Sequence, residues 1–172
     1  MRDVSEPTPT LEQQIAVGEE LSRAGQHAAA IDHVRALIDE APQVARLWFA
    51  YASALDRAGR EADAVPAYER ALQLGLDETD LPRALLQLGS SLRNLGKHAQ
   101  AVALLDEACR RFPEHAPLRV FLALARWSAG QPRAALITLL ELARQAIDTP
   151  EMRAYARAID SYLDELRAAN RP

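Results

Sequence analysis

The sequence predicts an all-α solenoid of about four stacked helical hairpins followed by one further helix, and three observations predict it. Four glycines sit in short polar turns, at Gly25, Gly59, Gly96 and Gly130, spaced 34, 37 and 34 residues apart. Small residues recur at two fixed distances from each of them. Five residues after the turn stand Ala30, Ala64, Ala101 and Ala135, and seven before it Gly18, Ala52, Gly89 and Ala123. The chain is 49 % hydrophobic but only 5 % aromatic, so its apolar content is mostly Ala and Leu, both strong helix formers. A fixed period of roughly 20–50 residues marks an array whose units bury their faces only by stacking.

Within each period lie two stretches with apolar residues near i, i+3, i+4 and i+7, the spacing of an amphipathic helix. The glycine turn between them reverses the chain. Where the paired helices come closest, only Gly or Ala leaves room, and larger residues such as Trp48, Tyr51, Leu55 and Tyr68 fill the flanks. This reading places helices over 10–24 and 27–40, 44–58 and 61–74, 82–95 and 98–111, 117–129 and 132–147, with a last one over 150–168. Pro42, Pro82, Pro113, Pro117 and Pro150 all fall at predicted helix ends, where proline is tolerated. The 37-residue step is explained by a polar turn with three extra residues, GLDETDLP at 75–82. The expected organisation is a disordered segment 1–9, the array over 10–149, and a C-terminal helix and tail over 150–172.

These residues resemble the tetratricopeptide repeat family, whose period is 34 and whose pattern runs W-x2-L-G-x2-Y, then Ala, an aromatic and finally Pro. The second hairpin follows it with Trp48, Ala52, Leu55, Gly59, Ala64, Tyr68 and Ala71. The third gives Leu88, Gly89, Leu92, Gly96, Ala101, Ala108 and Pro113. The first keeps Val17, Gly18, Leu21, Gly25, Ala30 and Pro42. In the fourth, Leu122, Ala123, Gly130 and Ala135 fit, but Arg126 stands where the pattern has tyrosine and Ile147 where it ends in proline. The resemblance covers roughly residues 11–147 and looks like that of a small, stand-alone bacterial member. It implies a right-handed superhelix that binds other proteins.

Composition narrows the function further. Net charge is −4 and the isoelectric point about 5.6, against the basic footprint of a nucleic-acid binder. No apolar run reaches the roughly 18 residues needed to cross a bilayer. The opening MRDVSEPTPT lacks the apolar stretch of a secretory signal, and Cys109 stands alone. The expectation is a cytoplasmic protein without a membrane contact. Lys97 is the only lysine beside nineteen arginines, which reads as the codon bias of a GC-rich bacterial genome or else as selection for Arg forks that pair with carboxylates or phosphates.

Catalytic chemistry finds no support. Residues 89–97, GSSLRNLGK, superficially resemble a phosphate-cradling loop, but the glycine spacing is too long and His98 replaces the Ser or Thr that would hold magnesium. No two of His27, His33, His98 and His115 stand at i, i+4, and Cys109 has no Cys partner, so neither a metal site nor a cofactor is expected. Cys109 reads as a small buried hydrophobe.

Binding is therefore the expected activity. In the superhelix that the resemblance implies, first helices line the concave face. The candidate partner-binding residues there are Arg46, Phe49 and Arg57 in the second hairpin, and Arg83, Leu86, Arg93 and Asn94 in the third. The fourth contributes Val120, Leu124 and Trp127. Counting every concave position, five basic residues (Arg23, Arg46, Arg57, Arg83, Arg93) face three acidic ones (Glu12, Glu19, Asp56), reversing the sign of the whole chain. Phe49 and Trp127 are of the kind that anchor interfaces, or else pack under neighbouring helices. The carboxylate clamp of some family members is missing, since of Ile15, Glu19, Ala50, Arg83 and Gln87 only Arg83 suits it. The last segment carries a stripe of Met152, Tyr155, Ile159, Tyr162 and Leu166, fit to cap the array, to self-associate or to lie in the groove as a plug. The expected function is an adaptor holding a peptide or protein segment. The alternative is a homo-oligomer assembling through hairpin ends or the last helix.

Overall fold

The computed structural model describes residues 9–168 and contains ten α-helices there, with no strand among the described residues. In chain order they are α1 (Leu11–Arg23), α2 (His27–Glu40), α3 (Ala45–Arg57), α4 (Glu61–Leu74), α5 (Asp80–Asn94), α6 (His98–Arg111), α7 (Ala116–Ser128), α8 (Pro132–Ala146), α9 (Pro150–Ala154) and α10 (Ala156–Ala168). The expectation of disorder over 1–9 lies, except for Pro9, outside the described residues. The chain divides into two compact bodies, Met1–Asp77 and Glu78–Pro172. The boundary falls inside the turn that lengthens the second repeat.

Local chemistry explains the helix ends. Thr10 caps α1 through a capping box: the Gln13 amide donates to its hydroxyl at 3.3 Å, and the Gln13 side chain accepts from the Thr10 amide at 2.8 Å. Each first helix closes on the same turn. At the second hairpin the Arg60 amide donates to the Leu55 carbonyl and the Gly59 amide to that of Asp56, both at 2.9 Å. This is the Schellman arrangement, which satisfies carbonyls that a helix end leaves open. It places the turn residue at positive φ, 72° at Gly59, where a side chain would be strained. The pairs Gln26–Leu21, Lys97–Leu92 and Gln131–Arg126 repeat the longer bond. Two features differ from the sequence reading by more than a one-residue shift of a helix end. Helix α5 begins at Asp80, because Pro82 sits within the first turn and needs no amide bond there. The last helix is interrupted at Tyr155 into α9 and α10.

In the N-terminal body α1 pairs with α2 and α3 with α4, and α3 lies against both α1 and α2. Ile15, Val34, Leu37, Ile38, Leu47 and Ala50 form its core, flanked by Trp48 and Tyr51. Arg46 crosses between the hairpins to Glu19 at 2.8 Å. In the C-terminal body α5 pairs with α6 and α7 with α8, and α7 lies against both α5 and α6. Arg126, standing where the repeat pattern has tyrosine, donates to Asp106 at 2.8 Å and to the Thr138 hydroxyl at 2.5 Å. A two-way polar tie thus takes the place of an aromatic contact.

The small residues sit where the helices touch. Ala30, Ala64, Ala101 and Ala135 are all buried, as are Ala52 and Ala123. A Cβ on Gly89 would lie 2.5 Å from Cγ of Leu105, and one on Gly18 2.6 Å from Cγ2 of Val34. Ala101 is fully enclosed, so Ala101→Leu should cost about 1–3 kcal/mol by overpacking, read as a lower midpoint in urea unfolding.

Tyr68 is also fully enclosed, its hydroxyl 3.3 Å from a carboxylate oxygen of Asp56. Burial, then the Asp56 charge, push its phenol well above the usual tyrosine range. The fold therefore holds the neutral phenol. Its stability is fully present below the unfolded tyrosine value of about 10 and is lost as pH rises above it. Melting temperature should fall above about pH 10, and the fall should be shallower in Tyr68→Phe.

Candidate partner-binding groove

The ten candidate residues do not form one surface of equal character. Arg46, Phe49 and Arg57 belong to the N-terminal body, the other seven to the C-terminal body. Phe49 is only 3 % exposed. Its ring lies 6.2 Å from that of Tyr68, with the Arg46 guanidinium 5.7 Å from its centroid. Phe49 is thus a core residue, not the solvent-facing anchor the sequence suggested, and Leu86 is buried as well. The physical reason is their repeat position. Ten residues before each turn glycine stand Ile15, Phe49, Leu86 and Val120, and the first three point into the packed interior. A column that is apolar in every hairpin is a core column, and that signal was present in the sequence.

The arginines are largely engaged. Arg46 is held by Glu19 and stacked on Phe49. Arg83 pairs with the buried Asp80 at 2.7 Å, and Arg93 donates to the Asn94 side chain at 3.0 Å. Arg57 and Asn94 are exposed. An Arg-lined face ready to receive an acidic segment is not what the side chains make.

The fourth hairpin differs. Val120, Leu124 and Trp127 line an open groove of about 620 Å³ between α7 and α8, together with Leu136 and Leu139 of the second helix. Trp127 is 67 % exposed. Val120, in the column just described, is 38 % exposed, and Leu139, nine residues past its turn glycine, is 43 % exposed. Their counterparts, Ile15 with Val34, Phe49 with Tyr68 and Leu86 with Leu105, are all buried. In the first hairpin α3 covers both helices, and in the third α7 does so. After the fourth, α10 packs on α8 and makes no comparable contact with α7 among the described residues. The groove is a seat for a next first helix, left open. Sequence reasoning found its α7 wall and missed Leu136 and Leu139, since only first helices were considered.

Charge is sparse in the groove. Arg133, exposed at its rim, is the one charged residue lining it and has no ion pair among the described residues. The α6–α8 side holds a smaller depression of about 250 Å³ around Asp106, Cys109, Arg119 and Arg126. There Arg126 already holds Asp106 and Thr138, and burial pushes the half-buried Cys109 thiol up. A raised thiol is a poor nucleophile. His33 is tied to the Gln14 carbonyl at 2.8 Å. No group of three or more His, Cys, Asp or Glu side chains among the described residues could hold a metal ion. No helix among them is long and apolar enough to cross a membrane.

Comparison with known proteins agrees with this geometry. The family model described as "Tetratrico peptide repeat" matches residues 45–166. The chain belongs to the tetratricopeptide repeat family, whose fold is that of a protein–protein interaction scaffold. No curated protein sequence matches. Among solved structures, the chain is similar to one titled "Functional Characterization of Pseudomonas Aeruginosa pilF", with TM-score 0.68 and 18 % identity over 94 % of this chain and 76 % of that one. It is also similar to a MamA crystal structure, with TM-score 0.67 and 18 % identity over 86 % and 75 % of the two chains. A third is the MamA 41-end fragment of Desulfovibrio magneticus RS-1, with TM-score 0.63 and 14 % identity over 94 % and 97 %. At these identities the likeness is one of fold.

The two aromatic candidates should now separate in experiment. Phe49→Ala removes a buried ring and should destabilise the chain by about 3–5 kcal/mol. Trp127→Ala, at an exposed site, should shift stability by no more than about 0.5 kcal/mol. Urea unfolding of the two variants beside the parent checks both.

Proposed function

We propose that this chain is a protein-binding adaptor whose docking site is the α7/α8 groove, and that it takes an amphipathic helical segment of a protein partner. The carrying observation is that positions buried in the other three hairpins are exposed in the fourth. An exposed apolar surface of this kind marks an interaction site. Helix-in-groove recognition reads anchors at i, i+3 or i+4 and i+7, the spacing at which Val120, Leu124 and Trp127 present their own side chains. The desolvated aromatic carries most of the affinity, and Arg133 sets orientation. We read the protein as bacterial and cytoplasmic, acting without catalysis and without nucleic acid. The acidic net charge and the half-buried single cysteine support that reading.

Selection of helical peptides from a displayed library on the immobilised chain tests the site. Bound peptides should be rich in apolar residues at helical spacing. Leu124→Asp and Leu136→Asp should each reduce capture at least about tenfold, the effect of about 1.4 kcal/mol. Equal capture by parent and variants would move the site elsewhere.

A further inference from the structure

The α9–α10 segment, whose α10 packs on α8, has two side-chain faces. Met152, Ala156, Ile159, Leu163 and Leu166 form the one turned toward the protein: Leu163 is buried and the other four are half-buried. Arg144–Asp160 and Arg167–Glu141 ion pairs hold α10 to α8 along that contact. The second face is Tyr155, Ala158, Tyr162 and Glu165, at steps of 3, 4 and 3, and all four are exposed. Tyr155 and Tyr162 are 68 % and 61 % exposed. The sequence had merged both faces into one stripe.

Resting on the reading of the groove as a docking site, we propose that its occupant is a second copy of this chain. The Tyr155–Tyr162 face of one protomer seats in the α7/α8 groove of the other, and the reverse. Three features of the molecule argue for this partner. The lengths agree: Tyr155 to Tyr162 and Val120 to Trp127 each span seven residues, about 10 Å of helix. The charges agree: Glu165 ends the tyrosine face and Arg133 rims the groove, and neither has an ion pair among the described residues. Donor face and groove lie on the same compact body, so each protomer carries both halves of a reciprocal two-fold contact. Trp127, Tyr155 and Tyr162 from each protomer make six rings, each about two-thirds exposed. Together they offer roughly 600–1,000 Å² for burial. The aliphatic groove walls bring this to the scale of a stable interface, about 1,200 Å².

Sedimentation of the chain across about 1–200 µM, a range that brackets micromolar affinity, reads the outcome. The parent should reach twice the monomer mass. Trp127→Glu and Tyr162→Glu should remain monomeric with unchanged helical circular dichroism, since both sites are exposed. Arg133→Glu alone, or Glu165→Arg alone, should weaken dimerisation about tenfold, and the double exchange should restore it. Restoration is an outcome that misfolding cannot produce. A dimer that survives Trp127→Glu, or charge exchanges that fail to compensate, would overturn the proposal. A parent that stays monomeric while the groove still captures selected peptides would overturn the second-copy assignment alone. Loss of groove-dependent capture as well would overturn the docking site with it.

Discussion

The close approach of paired helices is the constraint on which the rest of this protein depends. A carbon atom added at Gly89 would overlap Leu105, and one at Gly18 would overlap Val34. With Ala52 and Ala123 at the corresponding places in the other hairpins, both backbones come near enough for Leu, Val and Tyr side chains to interlock around them. The turn follows from the same demand. A short reversal keeps the helices side by side, and the Schellman bonds at each glycine close the first helix without help from a neighbour. Once the hairpins are fixed, their outer faces are what the packing leaves free.

Most of the fold was legible because it repeats. A single glycine followed by alanine five residues later says little. The same pair four times, in one phase, says where every turn and every tight contact falls. The break between α9 and α10 was not legible, since Met152 through Leu166 keeps an unbroken helical period across Tyr155. Nor was the division of the chain into two bodies, although the lengthened turn at which it falls was visible.

The site was legible in part, and the reason is physical. Sequence reasoning can assign a residue to a face of a helix but not say what covers that face. Phe49 and Val120 share one repeat position, and both were candidates for the binding face. One is buried and the other open. The arginines misled in another way. They are numerous at first-helix positions, but Glu19, Asp80 and Asp106 lie within reach of them. Much of the positive charge is spent on joining hairpins and closing helix starts, not on attracting a partner. Arg126 shows the extreme case, a cation that substitutes for an aromatic by reaching Thr138 within its own hairpin and Asp106 in the one before.

The principal helix contacts within the two bodies join elements no more than two apart in the chain. A topology this local lets structure form early during synthesis, hairpin after hairpin, without waiting for distant segments. The α7/α8 groove then forms after the three hairpins that precede it. Its α8 wall is complete only when residue 139 has emerged, and the tyrosine face follows some twenty residues later. The surfaces proposed to bind thus form after the hairpins that precede them. Nascent chains translated side by side would carry folded hairpins well before they could engage one another.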